Sequence, residues 1–191
     1  APFMLTLDSY CRRLFGEKVY KLSLSGGMTC PNRDGMLDTR GCIFCSAGGS
    51  GEFAQSACAS VTEQIDRARA QVAGKYKGDK FVAYFQNFTN TYAPAERLEA
   101  LFTEALAHPN VVALSVGTRP DCLPPETVAL LSRLNQRKPV WVELGLQTIH
   151  PETAAYIRRG YALPVYDRAV QALTAEGIHV VTHVILHLPG E

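Results

Sequence analysis

Hydrophobic positions recur along this chain with two alternating periods. Val19-Tyr-Lys-Leu-Ser-Leu24 alternates with period two, and Ser25-Gly26-Gly27 stops it, which predicts a first strand. Ser60-Val-Thr-Glu63 then has the form of a capping box, with Val61, Ile65, Ala68 and Val72 at helical spacing, so a helix is expected to about Ala73. Lys80 to Gln86 reads as a buried strand, and Pro94 opens a helix whose Leu98, Leu101, Phe102, Ala105 and Leu106 share one face. The alternation continues with a strand from Val111 to Val116, a helix opened by Pro124-Pro125 and striped by Val128, Leu131 and Leu134, and a strand from Val140 to Leu146. Helical pieces from Pro151 to Arg159 and from Val165 to Glu176, ended by Gly160 and Gly177, precede a last strand from Ile178 to Leu186.

Five apolar strands separated by amphipathic helices predict an α/β fold with a parallel sheet, either doubly wound or part of a (β/α) barrel. Strand starts near positions 19, 80, 111, 140 and 178 give steps of about 61, 31, 29 and 38 residues, where a βαβ unit takes roughly 30. The surplus in the first step is a Gly- and Cys-rich stretch directly after the first strand, on the face where barrel folds build active sites. The chain ends soon after an apolar strand with no covering helix, so it reads as a fragment truncated after its fifth strand.

Composition narrows the function classes. Of 191 residues, 47% are hydrophobic and 19% charged, which supplies a core and excludes disorder as the main state. No apolar run reaches the roughly 18 residues of a membrane span, and the N-terminus lacks a signal-peptide pattern, so a cytoplasmic protein without membrane contact is expected. Nineteen Lys and Arg against eighteen Asp and Glu give a net charge of +1, too little to steer the whole molecule toward nucleic acid. The six cysteines read as thiols rather than disulfides. Cys11, Cys58 and Cys122 stand alone and are expected to be small buried hydrophobes.

Cys30, Cys42 and Cys45 crowd together beside Gly26, Gly27, Gly35, Gly41, Gly48, Gly49 and Gly51. The Cys-x2-Cys step can set two sulfurs on one metal centre while a Gly-rich backbone wraps it. A structural zinc site would recruit a fourth ligand, for which Cys58 is the candidate, although it stands close to the helix start. A cubane iron–sulfur cluster on three cysteines keeps one iron open, which is a catalytic arrangement, and the spacing favours it over zinc.

The run Cys30-Pro-Asn-Arg-Asp-Gly-Met-Leu-Asp-Thr-Arg-Gly-Cys42-Ile-Phe-Cys45 resembles the YhcC/YtqA group of radical S-adenosylmethionine (SAM) proteins, related to the radical domain of the Elongator catalytic subunit. Lys18 to Leu24, Tyr84 to Tyr92, Ser115 to Cys122, Val142 to Gln147 and Ile185 to Glu191 extend the resemblance over essentially the whole chain. The eleven-residue gap between Cys30 and Cys42 departs from the superfamily's usual Cys-x3-Cys-x2-Cys but suits this branch.

The resemblance implies a partial barrel of the radical SAM type, with residues 1–191 a core domain incomplete at its C-terminus. It also implies a 4Fe–4S cluster on Cys30, Cys42 and Cys45, and cleavage of SAM to a 5′-deoxyadenosyl radical. Phe44 matches the aromatic placed against the adenine. Gln86 and Thr89 stand where relatives hold the methionine amino group, though without the usual glycines. Gln147 and Arg159 match positions for contacts to the ribose and carboxylate, while Gly117 stands where many relatives carry an acid. Kinship to Elongator implies a tRNA substrate modified at the wobble uridine, and a reductant such as flavodoxin or ferredoxin.

Of the remaining polar residues, Glu143 is expected to be a buried carboxylate paired with a cation, and Arg119 with Asp121 either lines the substrate side or forms an ion pair. His183 and His187 share one face of the last strand and are read as satisfied interior residues or residues at the fragment's edge. Arg12, Arg13, Lys18, Lys21 and Arg40 are candidates for a local basic patch toward RNA. The opposing class is a zinc-stabilised α/β binding module without radical chemistry. The substrate, the catalytic residues that touch it and the fate of SAM are not written in these motifs.

Overall fold

The computed structural model describes residues 4–47 and 59–191. It contains α1 (Leu7–Phe15), β1 (Tyr20–Leu24), α2 (Val61–Val72), β2 (Phe81–Phe85), α3 (Ala95–Ala107), β3 (Val111–Thr118), a 3-10 turn (Pro120–Cys122), α4 (Pro125–Asn135), β4 (Val140–Gln147), α5 (Pro151–Tyr156), α6 (Leu163–Ala175) and β5 (His179–Val184). All neighbouring strands pair in parallel, in the order β1-β2-β3-β4-β5. That order settles the alternative left open by the pattern: a doubly wound sheet reverses its strand order, and a barrel wall does not. The molecule is an α/β partial barrel.

Strand alternation divides the side chains between two faces. Leu22, Leu24, Ala83, Phe85, Leu114, Val116, Val142 and Leu144 form the outer core with Ile65, Leu98, Phe102, Leu131 and Leu173 of the helices. The opposite parity faces inward. Nearest the N-terminal ends of the strands, Val82, Ala113 and Trp141 pack with Cys11 of α1, flanked by Tyr10, Phe15 and Val19. Next come Lys21, Tyr84, Ser115 and Glu143, then Gln86, Gly117, Gly145 and Gln147, which line a cleft at the C-terminal ends.

Helix α1 is the element that the hydrophobic pattern did not predict. Thr6 caps it by accepting from the Ser9 N–H at 3.1 Å, and Gly16 closes it at φ +81 with its N–H on the Arg12 carbonyl at 3.0 Å. Leu7, Tyr10, Cys11 and Leu14 stand at helical spacing, so the signal was present in the sequence, although Leu7 and Leu14 lie half exposed and Cys11 is the residue the helix buries. Two further boundaries move. The helix expected to reach Arg159 ends at Tyr156, because Arg158 takes a left-handed φ of +56. The last strand ends at Val184, so His187, exposed and at φ +61, does not share a strand face with His183. Gly48, Gly49, Gly51 and Cys58 lie outside the described residues, and with Cys58 the four-cysteine zinc reading. Cys11 and Cys122 are buried free thiols, as expected.

Candidate active site

A cleft of about 240 Å³ opens where the strands end. Cys30, Cys42, Cys45, Phe44, Gln86, Thr89, Gln147 and Arg159, candidate residues far apart in the chain, all line it. Parallel pairing brings them together, because every strand presents its C-terminal end to the same mouth.

The cysteine loop is held by its own backbone and two polar side chains. The N–H groups of Arg33 and Asp34 donate to the Cys30 carbonyl, and Cys45 N–H donates to the Cys42 carbonyl at 3.1 Å. Gly41, at φ +74, lies against the Arg33 guanidinium, 3.0 Å from where a Cβ would stand. Arg33 then donates to the carbonyls of Cys45, Ser46 and Ala47, and Ile43 N–H reaches the Ile157 carbonyl at 3.2 Å. The Cys45 thiol beside it and then burial push the Cys42 thiol up, while the Asn32 amide pulls it the other way. Among the described residues no three His, Cys, Asp or Glu side chains converge as on a single metal ion. The three thiols instead share one wall of the cleft.

On the β2 side, Ser23 Oγ donates to Gln86 Oε1 at 2.9 Å. Thr89 is 1% exposed, lines the cleft and has a buried Oγ1 with no hydrogen-bond partner. An orphaned buried hydroxyl beside a cleft is the kind of group a ligand satisfies. Phe88 and Gln147 take left-handed φ values of +61 and +59 on the cleft wall, conformations that cost side-chain-bearing residues energy and concentrate at binding sites.

Arg159, which the resemblance places at contacts to the ribose and carboxylate, is largely engaged with its own loop: its Nη1 donates to the Leu146 and Thr148 carbonyls, each at 2.6 Å, and Nε and Nη2 donate to the Tyr161 carbonyl. Four of its five N–H groups therefore hold the loop after β4, and one remains for a ligand. Burial lowers its pKa. Arg119, 8% exposed, pairs bidentately with Asp121 at 2.9 and 2.7 Å and donates to the Arg159 carbonyl, so the ion-pair reading holds. Both guanidinium groups lie within 5.0 Å of the Tyr161 ring centre. Gly117 is explained by packing, since a Cβ there would stand 3.3 Å from the Phe85 carbonyl oxygen.

At the floor, Glu143 is 3% exposed and accepts from Ser115 Oγ at 2.5 Å, from Lys21 Nζ and from His183 Nε2 at 2.8 Å. Burial alone would raise its pKa, but the His183 and Lys21 interactions, with Ser115, win and hold it down to about 2. Burial and then the nearby Glu143 charge push Tyr84 up, and Lys21 Nζ sits 4.1 Å from its ring centre. The cation expected beside Glu143 is thus Lys21. That turns Lys21 away from the basic patch and divides the remainder: α1, carrying Arg12 and Arg13, lies at the opposite end of the strands from Arg40, itself paired with Asp38. His183 takes part in the site rather than standing aside from it. Lys21, Tyr84, Ser115, Glu143 and His183 share inward parity on five strands, and that parity is the signal that could have grouped them.

The sequence profile of the Radical SAM superfamily matches residues 39–191. The chain belongs to this superfamily. YtqA of Bacillus subtilis (strain 168) is 46% identical over 186 residues, covering 97% of this chain and 58% of YtqA, so the chain spans little more than half of that relative. A tRNA uridine(34) acetyltransferase of Methanocaldococcus jannaschii is 32% identical over 92 residues, 48% of this chain and 16% of that protein. Among solved structures, archaeal Elp3 of Methanocaldococcus infernus superposes with a TM-score of 0.59 at 19% identity, covering 91% of this chain and 39% of Elp3. The chain therefore shares its fold with Elp3. Its profile match begins after Cys30, so Cys30 joins the site through the cleft geometry.

Proposed function

We propose that this radical SAM chain holds a 4Fe–4S cluster on Cys30, Cys42 and Cys45 and binds SAM in the cleft beside it. The observation that carries the reading is that three thiols and the strand-end residues of β2 and β4 line one cleft at the barrel mouth. The donor set fits: three thiols and an unpartnered buried Thr89 hydroxyl border one ligand-sized space. When bound, the cluster supplies the electron that cleaves the sulfonium of SAM and generates a 5′-deoxyadenosyl radical.

The chain's own residues position and enclose that chemistry. Phe44, 38% exposed at the rim, offers a ring face for the adenine. Thr89 Oγ1 and Gln86 offer hydrogen bonds to the amino acid end. Gln147 and the remaining N–H of Arg159 offer hydrogen bonds to the ribose or carboxylate, while the rest of Arg159 keeps the loop after β4 closed over the site. The Lys21–Glu143 pair gives the floor fixed charge without leaving either ion unpaired.

The substrate of this reading is a tRNA, modified at its wobble uridine. The 92-residue likeness to a tRNA uridine(34) acetyltransferase supports it. The reductant is a low-potential donor such as flavodoxin or ferredoxin. Among the described residues no helix is long and apolar enough to cross a membrane.

Anaerobic reconstitution tests the core of the proposal. Iron and sulfide should bind to the wild type and be lost in Cys30→Ala, Cys42→Ala and Cys45→Ala but kept in Cys58→Ala, and reduction with SAM should yield 5′-deoxyadenosine. Zinc in place of iron, or no 5′-deoxyadenosine from a cluster-loaded sample, would sink it. Addition of tRNA should then leave a modified uridine detectable by mass spectrometry of the digested nucleosides.

A further inference from the structure

Asn32 sits between Cys30 and Cys42 and is 2% exposed, unusual for a polar side chain in a surface loop. Its Nδ2 donates to the Arg158 carbonyl at 2.8 Å, lies 3.3 Å from the Arg159 carbonyl and donates to Cys42 Sγ at 3.2 Å. The orientation of an Asn amide is decided by its neighbours, and here two carbonyls decide it. Carbonyl oxygens only accept, so the NH2 end must face them, and the same NH2 end then faces the sulfur. The backbone around it is shaped to the same purpose. Arg158 is held at φ +56, and Gly160, at φ +86, leaves room for the amide: a Cβ there would stand 2.9 Å from Asn32 Oδ1. Arg119 Nη1 pins the Arg159 carbonyl from the other side at 3.0 Å.

We propose that Asn32 is a positioning residue for the iron–sulfur centre: its side-chain N–H, oriented by the Arg158 and Arg159 carbonyls, donates to Cys42 Sγ and sets the cluster's reduction potential. The inference rests on the reading of Cys42 as a cluster ligand. The physics is charge stabilisation. A thiolate bound to iron carries more negative charge after the cluster accepts an electron, so a fixed donor on the sulfur stabilises the reduced state more than the oxidised one. Partners that orient and polarise a ligating side chain tune a metal centre in this way. Buried from water, the donor has no solvent competitor and is aimed by two backbone carbonyls.

The test is an anaerobic potentiometric titration of the reconstituted protein with dithionite, followed by electron paramagnetic resonance, with iron and sulfide counted on the same samples. Asn32→Leu removes the donor at similar size. Asn32→Asp keeps the shape and points a carboxylate oxygen at the sulfur. Both should hold wild-type iron and shift the reduction equilibrium against the reduced cluster by roughly tenfold, which is about 60 mV more negative at 59 mV per tenfold for a one-electron couple. A wild-type potential in both variants overturns this assignment while leaving the cluster reading intact. Failure of the wild type to take up iron and sulfide overturns both. If the wild type holds a cluster and neither variant folds or binds iron, Asn32 is a structural clamp only and the assignment falls.

Discussion

A carboxylate that is 3% exposed survives in a fold only with partners, and Glu143 has Lys21, Ser115 and His183 on its two oxygens. Its pKa lies near about 2 in the folded chain, below the ordinary 4.5. A depressed carboxylate contributes stability that is fully present above pH 4.5 and is lost as the pH falls toward about 2. The melting-temperature gap between wild type and Glu143→Gln should therefore be widest near neutral pH and narrow across that window. At neutral pH the variant should lose about 3 kcal/mol, the low end for breaking a buried pair, since Lys21 is 25% exposed and partly rehydrates. A gap independent of pH between 7 and 2 would show that the ionised form of Glu143 is not what matters. The residue itself was legible as an acid in an apolar strand. Its partners were not, because Lys21 lies 122 positions away in the chain and meets it only across the barrel interior.

At the scale of elements, α1 does for the lower end of the barrel what the cysteine loop does for the upper. Tyr10 stands edge-on to Trp141 with ring centres 5.9 Å apart, Phe15 lies 6.5 Å away, and Trp141 is 2% exposed as a result. It is also the single tryptophan of the chain, so its fluorescence reports on this contact alone. Phe15→Ala should destabilise the chain by about 2 kcal/mol, below the usual 3–5 for a fully buried Phe because Phe15 is only half-buried. Its native-state emission should move to longer wavelength as water reaches the indole. An unchanged emission maximum would show that α1 does not seal this end. The outer helices were legible because each buries a full stripe against the sheet, and α2 even keeps both halves of its Ser60–Glu63 capping box. α1 carried the same kind of signal in Leu7, Tyr10, Cys11 and Leu14 between the Thr6 cap and Gly16; what the sequence could not show is that this face plugs the barrel end against Trp141.

At the scale of the whole molecule, the loop bearing Cys30, Cys42 and Cys45 has few apolar contacts of its own and is tied down by Arg33, Asn32 and the Ile157 carbonyl. A ligand bridging the three thiols binds the folded arrangement and not the unfolded chain, so it adds stability by linkage. Reconstituted protein should melt at a higher temperature than apo-protein, chelation of iron should return it to the apo value, and Cys42→Ala should show no increment. Equal melting temperatures with and without bound iron would place the loop outside the cooperative unit. The alternation of strands and helices and the crowding of three cysteines after β1 were legible from sequence alone, because periodicity and spacing are local properties that the backbone must obey. What only the tertiary structure decided is which distant groups meet. It closed Arg159 on carbonyls of its own loop, turned Lys21 inward to Glu143 and set Asn32 against a sulfur. Each of these outcomes depends on the curvature of the sheet and the path of its loops, and a buried polar group takes whichever partner that geometry brings within hydrogen-bond reach.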